Sequence, residues 1–301
     1  MLSFKCENCN GELSVDSSGA LYCEYCGSRF HFSDEQLRGY KEFRGRMLRY
    51  LRETHERKAG EGRNEDALWN SAEYAYLKSA DDNDITIRYL YRCDDGPFVT
   101  MYLTREAFLF HFKKEARALA EAQERVLQRL SFPPADVKGL RDCFPTAAGT
   151  YPLDNGGLLL SYKRAANLFP LPLFGALAAE HAAWVVSRME NICCVLAYSD
   201  MAHKGISENS LAIDLFTHHA VLIGHWWEAG YSSEGSAVDL KAVRSTASRI
   251  LGVNRSTIPN EFAAFLGSAP KKNAYEDFGL WDEVIEKGFG GRRFAKMNIQ
   301  I

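Results

Sequence analysis

Two Cys-x-x-Cys pairs near the amino terminus constrain this chain more than any other feature. They read Cys6-Glu-Asn-Cys9 and Cys23-Glu-Tyr-Cys26, with thirteen residues between them. Four thiolates at this spacing can close a tetrahedral shell around Zn2+, which makes Cys6, Cys9, Cys23 and Cys26 the candidate metal ligands. A redox dithiol is the weaker alternative, because such motifs stand singly on a strand-to-helix turn. Too few apolar residues surround the pairs to build a core, so a structural metal would supply the folding free energy.

The rest of the chain must fold by burial. Its 301 residues suggest about two domains. A net charge of −3 gives no polycation to draw it onto nucleic acid. Met1-Leu-Ser-Phe-Lys5 leads straight into the first cysteine pair without the apolar core of a secretory leader. A reducing, cytoplasmic setting is therefore expected, with metal favoured over disulfides. The remaining cysteines, Cys93, Cys143, Cys193 and Cys194, are expected to be small buried apolar residues. The most apolar helical stretch, Ala176 to Tyr198, carries Glu180, His181, Arg188 and Glu190. That pattern fits a buried helix rather than a membrane span.

Residues 4–32 resemble the zinc-ribbon family. Phe4 to Leu13 supplies one knuckle and a strand, Ala20 to Phe30 the return strand and the second knuckle, and Asp16-Ser-Ser-Gly19 a hairpin turn. Many ribbons bind nucleic acid, but this one sets Lys5 and Arg29 against Glu7, Glu12, Asp16, Glu24, Asp34 and Glu35. Such a surface repels phosphate, so a structural or protein-docking module is expected. Ser33-Asp-Glu-Gln36 has the pattern of a capping box and predicts a helix start. Leu37, Tyr40, Met47 and Leu51 mark its apolar face. Over 36–58 eight cations face Glu42, Glu53 and Glu56. Charge runs usually solvate a helix face, and nucleic-acid binding through this helix is the alternative. Lys58 to Glu65 reads as a linker.

Beyond residue 66 the pattern predicts strands at Tyr74–Leu77, Ile85–Arg92 and Phe98–Leu103, with Asp94-Asp-Gly96 turning between the last two. A helical pattern covers Glu106–Leu130. Strands are expected near Lys138–Cys143 and Leu158–Tyr162, and helices thereafter. The fold class expected is α+β, a small β ribbon followed by a two-lobed body.

Four stretches of that body resemble the protein-kinase family. Gln123 to Pro133 with Asp136-Val-Lys-Gly-Leu140 looks like the end of the C-helix and the entry to the fourth strand. Leu158-Leu-Leu-Ser-Tyr-Lys163 looks like the fifth strand and hinge. Met201-Ala-His-Lys-Gly-Ile-Ser-Glu-Asn209 is similar to the catalytic loop, and Ala220 to Trp227 to the metal-binding strand and turn. Ala237-Val-Asp-Leu240 looks like the start of the F-helix, with Asp239 at its buried anchoring aspartate. The resemblance implies a bilobal kinase-like domain: an amino-terminal lobe over 66–163 and a reduced helical lobe over 164–301, after a ribbon at 1–32 and a helix and linker at 33–65.

Departures from the family decide the functional expectation. Residues 66–90 hold no glycine for a phosphate-covering loop, and Gly60 and Gly62 lie in the linker. Phe98–Leu103 offers no third-strand lysine, and the C-helix glutamate position falls on Gln123 or Glu124. The catalytic aspartate position falls on Lys204 or Gly205, and the metal-binding aspartate on Gly224 or His225. His203 and Asn209 remain, as residues expected to order the loop. Phosphoryl transfer needs the lost charges, so the expectation is a pseudokinase, with no catalytic and no nucleotide-binding residues assigned. A scaffold or regulatory role through a protein partner follows. An atypical ATP-dependent transferase, its metal site rebuilt from Asp200, Glu208 and Asp214, is the enzymatic alternative. Trp226 and Trp227 are expected in the core, or filling the vacated cleft. His218-His219 is expected at a turn between strands.

Overall fold

A computed structural model describes residues 2–3, 13–15, 21–23, 29–30, 34–56, 68–134, 139–214 and 216–292. In chain order the elements are β1 (Leu2–Ser3), β2 (Leu13–Val15), β3 (Leu21–Cys23), β4 (Arg29–Phe30), α1 (Asp34–Glu56), β5 (Glu73–Lys78), β6 (Asp84–Tyr89), β7 (Tyr91–Asp95), β8 (Val99–Leu103) and β9 (Ala107–Phe112). There follow α2 (Arg117–Gln128), β10 (Ala147–Pro152), β11 (Leu158–Lys163), β12 (Phe169–Pro170), α3 (Ala179–Tyr198), β13 (Leu211–Asp214), β14 (His219–Leu222), α4 (Ala237–Leu251), α5 (Asn260–Gly267) and α6 (Ala274–Phe289). The fold is mixed α+β, with several antiparallel sheets. No described helix is long and apolar enough to cross a membrane. Contacts divide the chain into two compact units. One holds Met1–Ala120 together with Ala147–Ala166 and Ile299–Ile301; the other holds Glu121–Thr146 and Asn167–Asn298.

The first unit is built on a six-stranded sheet ordered β1-β7-β8-β9-β11-β10. Only β1 runs parallel to its neighbour β7. β8 is buried along its whole length. In β9, Phe108, Phe110 and Phe112 turn inward at period two, at 0%, 4% and 0% exposure. The β5-β6 hairpin covers one face: Ile87 and Tyr89 meet Tyr102, Leu153 and Leu159 in one apolar cluster. Tyr89 and Tyr102 lie with ring centroids 5.1 Å apart. Helix α1 stacks Phe43 on Tyr91 at 5.7 Å, and Met47 and Leu51 are fully buried. Lys41, Arg49 and Arg52 stay exposed on its other side, as a solvated face requires. β2, β3 and β4 form a separate three-stranded antiparallel sheet.

The second unit is mainly helical, with β12-β13-β14 as a small sheet. Helix α3 is its axis: Val185, Val186, Met189 and Val195 have no exposed surface. Trp281 of α6 sits 5.2 Å from the Phe262 ring and 4.8 Å from Phe265. Its indole N–H donates to Ser187 Oγ at 2.8 Å, tying α6 to α3. Below this aromatic contact lies a buried charge cluster. Arg244 donates Nη1 and Nη2 to the two oxygens of Asp277 at 2.9 and 3.0 Å, and its Nε donates to Phe265 O. The Lys271 amide adds a bond to Asp277 at 2.7 Å. Glu190 is fully buried beside the pair. Burial, and then the neighbouring Asp277, push its carboxyl up to about 8, so it keeps its proton at pH 7.

The structure corrects three expected elements and adds one, β10. The strand expected over Ile85–Arg92 breaks at Leu90 into β6, paired with β5, and β7, in the six-stranded sheet. Glu106–Leu130 is not one helix, because Ala107–Phe112 is taken into the sheet between β8 and β11. Its aromatic residues gain more from that two-sided pairing than from a helical turn, a tertiary override of local pattern. The strand expected near Lys138–Cys143 is a 3-10 turn at Arg141–Cys143, with Gly139 at φ 88°. β10, with most of its residues exposed, carries too little apolar signal to be read from sequence. Among the cysteines, Cys93, Cys143 and Cys193 are buried but Cys194 only partly so. Burial pushes the Cys143 thiol up to about 11, so it stays protonated and inert.

Candidate functional site

A buried acid pins the loop after α3. Asp239, in the first turn of α4, is 1% exposed and accepts two backbone hydrogen bonds. Its Oδ2 takes the His203 amide at 2.7 Å and its Oδ1 the Lys204 amide at 2.8 Å. Burial raises its carboxyl to about 6 while the two amides hold it down, so it is ionised at pH 7. Lys204 is held in the left-handed region at φ 64°, and Asp200 at φ 52°. A non-glycine residue persists there only when its surroundings enforce it, and Asp239 does so at Lys204.

His203 carries the clamp onward. It is fully buried, and burial pushes its imidazole down to about 3, so the ring is neutral. Nε2 lies 2.9 Å from Gly224 O, and Nδ1 accepts from the Gly205 amide at 3.2 Å. The two contacts select the Nε2–H tautomer. The ring meets Trp226 edge-on at 4.7 Å. Trp226 is fully buried, donates to Leu222 O at 2.8 Å and lies 5.7 Å from Phe144, which packs on Phe132. Trp226 is thus a core residue of the second unit. Trp227 is half-buried against His225, rings 5.0 Å apart. Two further contacts fasten the loop: Ala202 and Gly230 exchange backbone bonds of 2.8 and 2.9 Å, and Ser210 O accepts from Ile223 and Gly224.

Gly205 marks the point of closest approach. A Cβ built there would lie 2.7 Å from His225 Cβ and 3.2 Å from a carboxylate oxygen of Glu228. His225 itself is held left-handed at φ 62°, and Glu228 lies 3.6 Å from its Nδ1. The space a side chain at 205 would use is already filled.

The other expected residues have separate fates. Asn209 is half-buried and makes none of the loop's hydrogen bonds among the described residues; Ser210 does that work, exchanging two 2.9 Å bonds with the Ser207 backbone. Glu208 is paired with Arg249 at 2.7 Å, and Asp214 caps the turn at Phe216. These acids are therefore committed to structure and do not converge with Asp200; no group of three or more metal-ligating side chains occurs among the described residues. His218 lies in the β13–β14 turn at φ 50°, stacked on Trp184, and His219 opens β14. Gln123 is fully buried in α2. The third strand of the β7-β8-β9 meander is Ala107–Phe112, not Phe98–Leu103, and it too lacks a lysine. The Gly205–His225 contact was not readable in the sequence; an unexplained glycine opposite a histidine was its only trace.

Of the four zinc-ligand candidates, Cys23 is fully buried at the end of β3, in register with Leu13 of β2. Cys6, Cys9 and Cys26 lie outside the described residues. No family model matches this chain, and no curated protein matches it at a significant level.

Proposed function

We propose that this chain is a zinc-ribbon pseudokinase, a non-catalytic scaffold or regulatory module that binds a protein partner. The observation that carries the reading is the Asp239 clamp. A buried acid at a helix start fixing the His203 and Lys204 amides is what the resemblance to the protein-kinase fold requires of its F-helix aspartate. A five-strand arrangement of β7-β8-β9-β11-β10, with a helix between β9 and β10, also favours that bilobal fold. Against catalysis stand Lys204 or Gly205 at the position of the base, Gly224 or His225 at that of the metal ligand, and a third strand without lysine. Transfer of a phosphoryl group depends on placed charge, and none of these positions carries the acid or the strand lysine it needs. On this reading Cys6, Cys9, Cys23 and Cys26 hold a structural Zn2+, which contributes folding free energy to the ribbon.

Thermal melting of the full chain with and without Mg-ATP tests the enzymatic alternative, since a ligand bound only by the folded state raises Tm. No shift and no transfer to a generic protein substrate are expected. A Mg-dependent rise accompanied by transfer would sink the scaffold reading. Elemental analysis is expected to find about one zinc ion per chain, reduced by Cys23→Ser. A metal-free chain with its ribbon sheet intact would exclude the zinc site.

Restoring the missing acid is expected to fail. Gly205→Asp should lower stability by about 1–3 kcal/mol through overpacking against His225. It should give no phosphoryl transfer. A variant as stable as the wild type that transferred phosphate would show that the loop has room for a base.

A further inference from the structure

The second unit contains a cavity of about 870 Å³ away from the Asp239 clamp. One wall is a stripe of α3 that includes Ala183, Trp184, Ser187 and Arg188, neighbours on one face at helical spacing. Across from it stand Ile258, just before α5, with Ile285 and Phe289 of α6. The volume lies in the range of small-molecule sites, which pair apolar walls with a few placed polar groups. Two guanidinium groups line it, Arg188 and Arg292, and Arg292 is already paired with Asp282, which leaves Arg188 as the placed group. The Trp184 ring is stacked on His218 at 4.9 Å and 19°, and Arg188 Nε donates to the His218 carbonyl at 2.9 Å. Those contacts fix the guanidinium in the wall while using only one of its nitrogens. Among the described residues its two terminal nitrogens make no hydrogen bond and no ion pair.

A half-buried guanidinium beside an apolar wall bears a desolvation cost that an anion would offset, and its planar fork suits a carboxylate. Glu180 lines the same cavity about two helical turns back along α3. Its charge repels a head group at that end and sets one orientation. We propose that this cavity binds a small amphipathic carboxylate, its head group on the terminal nitrogens of Arg188 and its chain along Ile258, Ile285 and Phe289. The site is independent of the nucleotide question and of the zinc.

Titration calorimetry of the full chain with sodium decanoate tests it, with 1-decanol as the uncharged control. Saturable binding at a single site is expected. Arg188→Gln and the exchange of decanoate for decanol should each weaken it roughly tenfold or more, the scale of losing a charge-assisted bidentate contact. Ile258→Trp, which fills the apolar wall without touching Arg188, should also abolish it. No saturable binding of decanoate overturns the proposal. So does decanol bound as tightly as decanoate, or binding unchanged by Ile258→Trp. Those results stand even where Arg188→Gln impairs folding through the lost His218 contact.

Discussion

Arg244→Ala is expected to destabilise the helical unit by about 4 kcal/mol, read as a lower urea midpoint in tryptophan fluorescence. Arg244 is 4% exposed and Asp277 fully buried, so the variant leaves a carboxylate in an apolar interior beside a second acid. The loss measures the stranded charge more than the worth of the pair. Arg244→Met combined with Asp277→Leu should therefore recover most of it, because removing both charges also removes their desolvation cost. A double variant as unstable as the single one would mean that the pair is needed for its geometry. Glu190 gives the same cluster a pH signature. Its carboxyl sits near 8 in the folded chain, against an ordinary value of 4.5. The unfolded chain releases this proton first, so stability falls as pH rises from about 4.5 to 8, on the order of 5 kcal/mol in full. Glu190→Gln should flatten that slope and leave the chain more stable than wild type at pH 9.

Asp239→Ala should cost about 3 kcal/mol and release the loop at Lys204. Two buried amides lose their acceptor together, and each unsatisfied donor costs about 1–3 kcal/mol. Lys204 also loses the contact that holds it at positive φ. Hydrogen exchange should show the His203 and Lys204 amides opening well before α3 and α4 unfold. If both amides stay as protected as in the wild type, the Ala202–Gly230 bridge rather than Asp239 holds the loop.

Different parts of this molecule were legible to different degrees. β6 follows from alternation, β8 and β11 from continuous apolar runs, and the helices from α3 onward from helical spacing. Asp239 stood out through a family resemblance, not through its composition. β9 was hidden inside a helical pattern, and only its neighbours β8 and β11 decide its state. The Arg244–Asp277 pair joins residues 33 apart in sequence, and Glu190 reaches it from another helix. No local window carries such a pair. Gly205 is the extreme case, since its meaning lies wholly in the side chain that lies against it.

The division of the chain between its two units has a consequence for how it is made. β11 is an inner strand of the six-stranded sheet, yet it is encoded after residues 121–146, which belong to the other unit. The ribosome must therefore release Phe132 and Phe144 before the first sheet can close. The Trp226 that covers Phe144 is translated several seconds later at ordinary elongation rates. During that interval Phe144 lacks the ring that covers it in the finished fold. Slow synthesis across 147–226 lengthens that exposure.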